Sequence, residues 1–218
     1  MTVSGRFIFV ASLFTTCLVS ANIMAVKLTA VHGHVLDAGI VIFPISYILG
    51  DVLTEVWGFR AARRVIWTAF LCNLIVVGAI QIAIHLPNAG FGVSNGAYED
   101  VLGYTPRLLL ASFAAFLVGE FTNSAIMARM KVWTEGRLLW ARTIGSTVVA
   151  EALDSAIFTT IAFAGTAPLM NTISTNWVVK VGYEVVATPI TYAVVNYLKR
   201  AEGVDVYDRD TPLLPLEV

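Results

Sequence analysis

Stretches of about 20 mostly apolar residues alternate with short polar segments along the chain. The hydrocarbon core of a bilayer is about 30 Å thick and takes roughly 20 helical residues to cross, so each stretch predicts one membrane-spanning helix. The predicted spans are residues 7–26, 38–58, 65–84, 108–128, 143–165 and 178–198. The pattern therefore predicts an all-α membrane protein, with a single six-helix transmembrane domain over residues 1–200 and an exposed, partly flexible tail over 201–218.

The composition agrees with a bilayer as the surrounding medium. Hydrophobic residues make up 57% of the 218 residues and charged residues 13%, whereas average proteins carry about 25% charged residues. A surface with so little charge would not keep an ordinary enzyme dissolved in water. The formal net charge of -1 also excludes the strongly basic surface of a nucleic-acid-binding protein. The lipid bilayer is an expected partner, and nucleic acid is not.

Basic residues collect in alternate connections between the predicted spans. Eleven of the fourteen fall near the two termini or in the connections after the second and fourth spans, namely Arg6, Arg60, Arg63, Arg64, Arg129, Lys131, Arg137, Arg142, Lys199, Arg200 and Arg209. The other three, at the opposite ends of the spans, are Lys27, Arg107 and Lys180. Because Lys and Arg concentrate on the cytoplasmic side of membrane proteins, this split predicts that both termini are cytoplasmic.

Four carboxylic residues lie in the middle layer of the predicted spans, where an unpaired ionisable group is costly. They are Asp51, Glu120, Glu151 and Asp154. Steps of three and four residues place polar side chains on shared helix faces, so these faces are predicted to converge on one central cavity. The other polar candidates for this cavity are Asn22, Tyr47, Asn123, Lys180 and Glu184. Because no base is expected in the middle layer, the cavity suits a solute that donates hydrogen bonds or carries positive charge.

Some of these residues also have purely structural interpretations. Lys180 is predicted to reach the outer surface and pair with Glu184, which follows four residues later. Glu55 lies near the inner end of the second span, where an ion pair is as reasonable as a role in binding. Its nearest basic residues along the chain are Arg60, Arg63 and Arg64.

Sequence motifs of nucleotide-dependent and metal-dependent enzymes are absent. The chain has no GxxxxGK[ST], HExxH or GxSxG, and His32, His34 and His85 do not form a ligand cluster. No cofactor, metal or enzymatic activity is therefore expected. One alternative is an intramembrane aspartyl protease that uses Asp51 and Asp154. The first glycine of its GxGD motif is missing, because position 48 is Ile48.

A distinctive motif covers the second span, with FP at 43–44, YILGDVLTEVWG at 47–58, and arginines at 60, 63 and 64. Further motifs are GYTPR at 103–107, ASF at 111–113, GE at 119–120, KVWT at 131–134, LWART at 139–143 and ExxD at 151–154. Together they resemble the queuosine precursor transporter family, formerly called the vitamin uptake transporter family. The resemblance implies six helices in a prokaryotic inner membrane, import of the 7-deazaguanines preQ0 and preQ1, and a fold like the substrate-binding subunits of energy-coupling-factor importers.

The resemblance gives the polar residues a chemical role. A guanine-like ring presents N1–H and a 2-amino group side by side to one carboxylate, and its O6 accepts from Asn or Lys. The aminomethyl cation of preQ1 calls for a second acid, and the planar ring stacks on an aromatic residue such as Tyr47. In the predicted site Asp51, Glu120 and Asp154 line the cavity, Asn22, Asn123 and Glu151 complete the hydrogen bonds, and Lys180 and Glu184 close the outer side.

Other solutes and partners stay open at this point. An acidic cavity also suits another purine-like or vitamin-like solute. Transport could be coupled to a proton carried by Glu120, or to an external ATPase subunit. Alternatively, the solute could enter down its concentration gradient and be trapped by incorporation into tRNA. A homo-oligomer is a further candidate assembly.

Overall fold

A computed structural model describes residues 4–25, 27–31, 34–103, 106–165 and 169–216. Val26, at the end of the first predicted span, and His32 lie outside these residues. The helices are α1 (Gly5–Ala25), α2 (Phe43–Trp57), α3 (Phe59–Ile84), α4 (Asn95–Leu102), α5 (Pro106–Trp133), α6 (Leu139–Phe163) and α7 (Leu169–Glu202). A two-stranded antiparallel hairpin, β1 (Leu28–Val31) and β2 (His34–Asp37), and a 3₁₀ turn (Ala38–Val41) connect α1 to α2.

Five of the helices are long and apolar enough to cross a membrane, namely α1, α3, α5, α6 and α7. The second predicted span instead consists of the 3₁₀ turn and the 15-residue helix α2, which is about 22 Å long. Pro44 lies in the first turn of α2, and Gly58, with a φ of 84°, ends it. The expectation of one continuous helix over residues 38–58 is therefore wrong.

Helix α2 lies at the centre of the bundle, where it contacts α1, α3, α5 and α7. Ten of its 15 residues are buried, including Val52 and Val56 of the apolar core. Because neighbouring helices surround it, α2 does not have to match the thickness of the bilayer, and the irregular backbone before it is tolerated within the protein.

The other long helices begin before their predicted spans, and α5 and α7 also end after them. Helix α3 begins six residues earlier than predicted and includes the arginines at 60, 63 and 64, and α5 and α7 are also longer than expected. The connection between α3 and α5 contains the short helix α4. The Ser94 hydroxyl accepts the Ala97 N–H at the start of α4, which is the usual way to satisfy a free donor at a helix N-terminus.

Both ends of the described chain lie at one end of the bundle. Arg6, at the start of α1, donates to the carbonyl of Ala201 at 3.1 Å and to the carboxylate of Glu202 at 3.0 Å. We call this the termini end. The hairpin, the 3₁₀ turn and the start of α7 belong to the opposite end, which we call the cleft end.

The segment after α7 packs against the termini end rather than extending freely. The Asp208 carboxylate is buried and accepts the Phe59 N–H at 2.8 Å, so it satisfies a free donor in the first turn of α3. Arg63 donates to the carbonyl of Leu214 at 2.8 Å. The tail therefore packs along the start of α3 through Asp208 and Arg63, whereas other tail residues such as Asp210 are exposed.

Five charged residues form a network at the termini end. Glu55 is fully buried, and both of its carboxylate oxygens accept from the Arg142 guanidinium, each at 2.7 Å. The Lys199 ammonium donates to Glu55 at 2.5 Å, and Lys131 donates to Asp205 at 2.5 Å. Lys199 also lies 2.9 Å from Asp205. This termini-end network joins α2, α5, α6, α7 and the tail.

The network shows that Glu55 is an ion-pair partner, but not of the residues nearest to it along the chain. Arg60 and Arg64 are exposed on α3, whereas Glu55 points into the bundle. Asp205 lies outside the spanning helices, and its partial burial raises the pKa of the carboxyl. Hydrogen bonds and positive charge from Lys131 and Lys199 outweigh that effect and hold the pKa below its ordinary value.

Candidate functional site

Two neighbouring clefts open at the cleft end of the bundle. The first encloses about 690 Å³, open solvent included, and is lined by α1, the 3₁₀ turn, the start of α2, α5, α6 and α7. The second encloses about 280 Å³ between α2, α6 and α7. The first cleft is the wider of the two. Ile40, Phe43 and Lys180 line both clefts.

Lys180 lies at the junction of the clefts and pairs with α6. Its ammonium donates a hydrogen bond to the Asp154 carboxylate. It also forms an ion pair with Glu151, whose Oε2 lies 2.9 Å away, but the angles there do not make a hydrogen bond. It also lies 4.5 Å from the centre of the Phe43 ring, a cation–π distance. The prediction that Lys180 pairs with Glu184 is wrong, because two carboxylates of α6 face it across the helix interface. Asp154, for which no basic neighbour was expected, therefore has Lys180 as its partner.

The first cleft combines several polar groups of different character. Its lining includes Asn22, Ser112, Asp154, Asn176 and Lys180. The Ser112 hydroxyl donates to the Asn22 side-chain oxygen at 2.8 Å, which fixes the amide of Asn22 between α1 and α5. Carboxylate, amide and ammonium groups together can accept and donate hydrogen bonds at the edge of one planar solute.

The second cleft holds three of the remaining predicted residues, Tyr47, Glu151 and Glu184. The Tyr47 hydroxyl is close enough to the Glu151 carboxylate for a side-chain interaction. Glu184 Oε1 is buried and has no hydrogen-bond partner among the described residues. The second cleft therefore has more acceptors than donors.

Asp51, Glu120 and Asn123 are not among the residues that line either cleft. They are buried in the bundle, where the Asn123 amide donates to Asp51 Oδ1 at 2.6 Å. Asp51 Oδ2 and Glu120 Oε2 have no hydrogen-bond partner within the described ranges, and an unsatisfied buried polar atom costs about 1–3 kcal/mol or more. The structure thus divides the predicted site into a cleft group and a deeper group.

Glycines allow the close helix approach that the site requires. A Cβ atom on Gly119 would lie 3.2 Å from Asp154 Cβ and 3.4 Å from the Tyr47 hydroxyl. A Cβ on Gly50 would lie 3.1 Å from Glu120 Oε2. The lack of a side chain at position 119 therefore lets α5 pack against α6 and α2 beside the clefts.

Three polar residues that line the first cleft, Ser112, Ser155 and Asn176, were not predicted as site residues. Asn176 lies four residues before Lys180 on α7, and Ser155 follows Asp154 on α6. Helical spacing from Lys180 was the available signal for Asn176. No comparable signal marked Ser155, because adjacent residues on a helix point in different directions.

Comparison with known proteins gives a family match and several relatives. The family model described as "Putative vitamin uptake transporter" matches residues 37–194. The "Probable queuosine precursor transporter" of Bacillus subtilis (strain 168) is 28% identical over 193 residues, which cover 87% of this chain and 82% of that protein. The "Queuosine precursor transporter" of Escherichia coli (strain K12) is 24% identical over 159 residues, which cover 72% and 69%. No solved structure matches the chain.

The family match also decides between the two classes of function considered from the sequence. Asp51 takes Asn123 as its partner and Asp154 takes Lys180, and the matched family is one of transporters. The aspartyl protease hypothesis is therefore wrong, and the protein is a multi-pass membrane protein of a prokaryotic transporter family. Because the match extends over more than half of its length, the chain belongs to the vitamin uptake transporter family that this model describes.

Proposed function

We propose that this protein imports a queuosine precursor, a 7-deazaguanine such as preQ0 or preQ1, and binds it in the first cleft. The names of the relatives support this substrate class. The observation that carries the proposal is the cleft itself, which ends at the Asp154 and Lys180 pair and is lined by the amide of Asn22. These side chains match the donors and acceptors along the edge of a guanine-like ring.

The recognition would use both signs of charge. The N1–H and 2-amino donors of the ring would meet the Asp154 carboxylate, and O6 would accept from Lys180 or from Asn22. The Phe43 ring lies against Lys180 and lines both clefts, so it would provide a stacking surface for the planar ring. The deeper group of Asp51, Glu120 and Asn123 would act after the substrate has moved further into the bundle.

The proposal includes an orientation, with the termini end in the cytoplasm and the clefts open to the outside. Residues 1–200 would form one six-helix domain with α2 as the short sixth element, related in fold to the substrate-binding subunits of energy-coupling-factor importers. A reporter fused after Val218 and another inserted at Asn88 would test the orientation. At Val218, a reporter enzyme that works only in the cytoplasm should be active. At Asn88, a reporter enzyme that works only outside the cytoplasm should be active.

The experiment on function is uptake by cells that cannot make 7-deazaguanines, measured by the appearance of queuosine in their tRNA. Asp154→Ala and Asp51→Ala should each reduce uptake by at least about tenfold, because a hydrogen bond to a charged group is worth about 1.5–3 kcal/mol. Asp100→Ala is the matched control, since Asp100 is exposed on α4. No uptake by the unaltered protein would contradict the function, and normal uptake by both variants at normal expression would contradict the site.

The same uptake assay tests how import is driven. Uptake that persists after the proton gradient is collapsed would exclude coupling to a proton. Uptake in a host without energy-coupling-factor ATPase subunits would exclude dependence on such a partner. Light scattering of the purified protein would distinguish a monomer from a homo-oligomer.

A further inference from the structure

We propose that Lys180 sets the charge selectivity of the carrier by discriminating against 7-deazaguanines that carry a cationic substituent. This inference rests on the proposed function and concerns one residue of the first cleft. With Asp154 taken by the ring donors and Lys180 donating to O6, a cationic 7-substituent, which projects beside O6, would compete with the Lys180 ammonium for the Glu151 carboxylate. A neutral substituent would leave the ion pair in place.

The position of Lys180 is the first part of the argument. The ammonium bonds to Asp154, lies 2.9 Å from Glu151 and faces the Phe43 ring at 4.5 Å. It therefore occupies the place where an aminomethyl cation on a stacked ring would find both a counter-charge and an aromatic face. The protein's own cation already fills the site that such a substrate would use.

The balance of charge around Lys180 is the second part. Asp154 and Glu151 are the two carboxylates that face the ammonium, and Glu184 adds a third acid to the lining of the second cleft. With Lys180 present, an entering cation has to displace the ammonium or lie close to it, and repulsion between like charges is strong where water is excluded. Without Lys180, the same cation would neutralise carboxylates that are otherwise unpaired.

Exposure separates this ion pair from one that only holds helices together. The Lys180 side chain is 17% exposed and lines both clefts. Arg142 and Glu55 form the comparable pair at the termini end, where both side chains are at most 1% exposed. A solute in the first cleft can reach Lys180, whereas the structural pair is closed to solvent.

The test compares uptake of preQ0, which carries a neutral nitrile, with uptake of preQ1, which carries an aminomethyl cation. Lys180→Gln keeps a hydrogen-bond donor for Asp154 but removes the charge, and Lys180→Met removes both. Each should raise the ratio of preQ1 to preQ0 uptake by about tenfold, whereas Lys180→Arg should leave the ratio close to that of the unaltered protein. Lys27→Met is the matched control, because Lys27 is an exposed lysine at the same end of the bundle.

The outcomes separate this inference from the proposed function. If the unaltered protein takes up neither compound, the proposed function fails. If the unaltered protein imports both and Lys180→Gln imports them in the same ratio, or if folded Lys180→Gln loses both together, Lys180 does not set charge selectivity. Thermal unfolding of the purified proteins identifies which variants are folded. The shift in the midpoint that each compound causes reports its binding. A Lys180→Met variant that fails to fold leaves Lys180→Gln as the deciding measurement.

Discussion

Removing one partner of the buried pair between Glu55 and Arg142 should destabilise the protein strongly. Glu55→Gln takes away the charge that accepts two hydrogen bonds of 2.7 Å from Arg142 and one of 2.5 Å from Lys199. Breaking a buried pair in this way typically costs about 3–5 kcal/mol. Arg142 keeps an acceptor at the carbonyl of Gly136, 3.2 Å away, so we expect the lower part of that range. For a chain of this length, the expected fall in the midpoint of thermal unfolding is roughly 10 °C.

The assay is thermal unfolding of purified protein in detergent, with Glu55→Gln, Arg142→Gln and the double variant compared. The double variant should lose less stability than the two single variants added together, because the residues interact directly. Arg64→Gln is the control, since Arg64 is an exposed base at the same end of the bundle, and it should leave the midpoint unchanged. If Glu55→Gln also leaves the midpoint unchanged, the network contributes nothing to stability and the reasoning is refuted.

Two further predictions concern the site and the tail. Gly119→Ala should lower uptake more than it lowers the expression level of the protein, because the new Cβ would lie 3.2 Å from Asp154 Cβ. Gly78→Ala should not lower uptake, because a Cβ at position 78 would have nothing within 4 Å. Asp205→Asn should lower the unfolding midpoint at pH 7. The deficit should shrink as the pH falls below about 4 and vanish below the lowered pKa of Asp205, because a carboxyl with a lowered pKa stabilises the fold only while it is charged. Asp210→Asn, at an exposed aspartate, is the control and should leave the midpoint at pH 7 unchanged.

The pattern of apolar residues was sufficient to place most of the helices. Long apolar runs such as those in α1 and α3 must form helices in a bilayer, because their backbone N–H and C=O groups have to hydrogen-bond within the segment. Helix α2 was predicted too long because the backbone before it is buried by neighbouring helices, which the sequence of the segment does not reveal. The hairpin was missed because each of its strands has only four residues, too few for a periodic pattern.

The partners of the charged residues were harder to predict than their positions. Spacing of three and four residues gives the face of a helix on which a side chain lies, but the rotation of that helix against its neighbours is set by packing of the whole bundle. The structural alternative for Lys180 was a bond to Glu184 within α7, and the residue instead meets α6. For Glu55 an ion pair and a role in binding were equally open, and it pairs not with the arginines that follow it but with Arg142, 87 residues away. In both cases a partner on another helix replaced one nearby in sequence.

The charges at the two ends of the bundle differ in a way that bears on transport. At the termini end, the acids Glu55 and Asp205 bond to basic residues that outnumber them. Around the clefts, Lys180 faces Asp154 and Glu151, and Glu184 retains an oxygen without a hydrogen-bond partner among the described residues. An excess of acceptors is costly to bury unless something supplies donors. A solute with a row of N–H groups would offset that cost only while it is bound, so the same residues that weaken the empty cleft would favour its occupation.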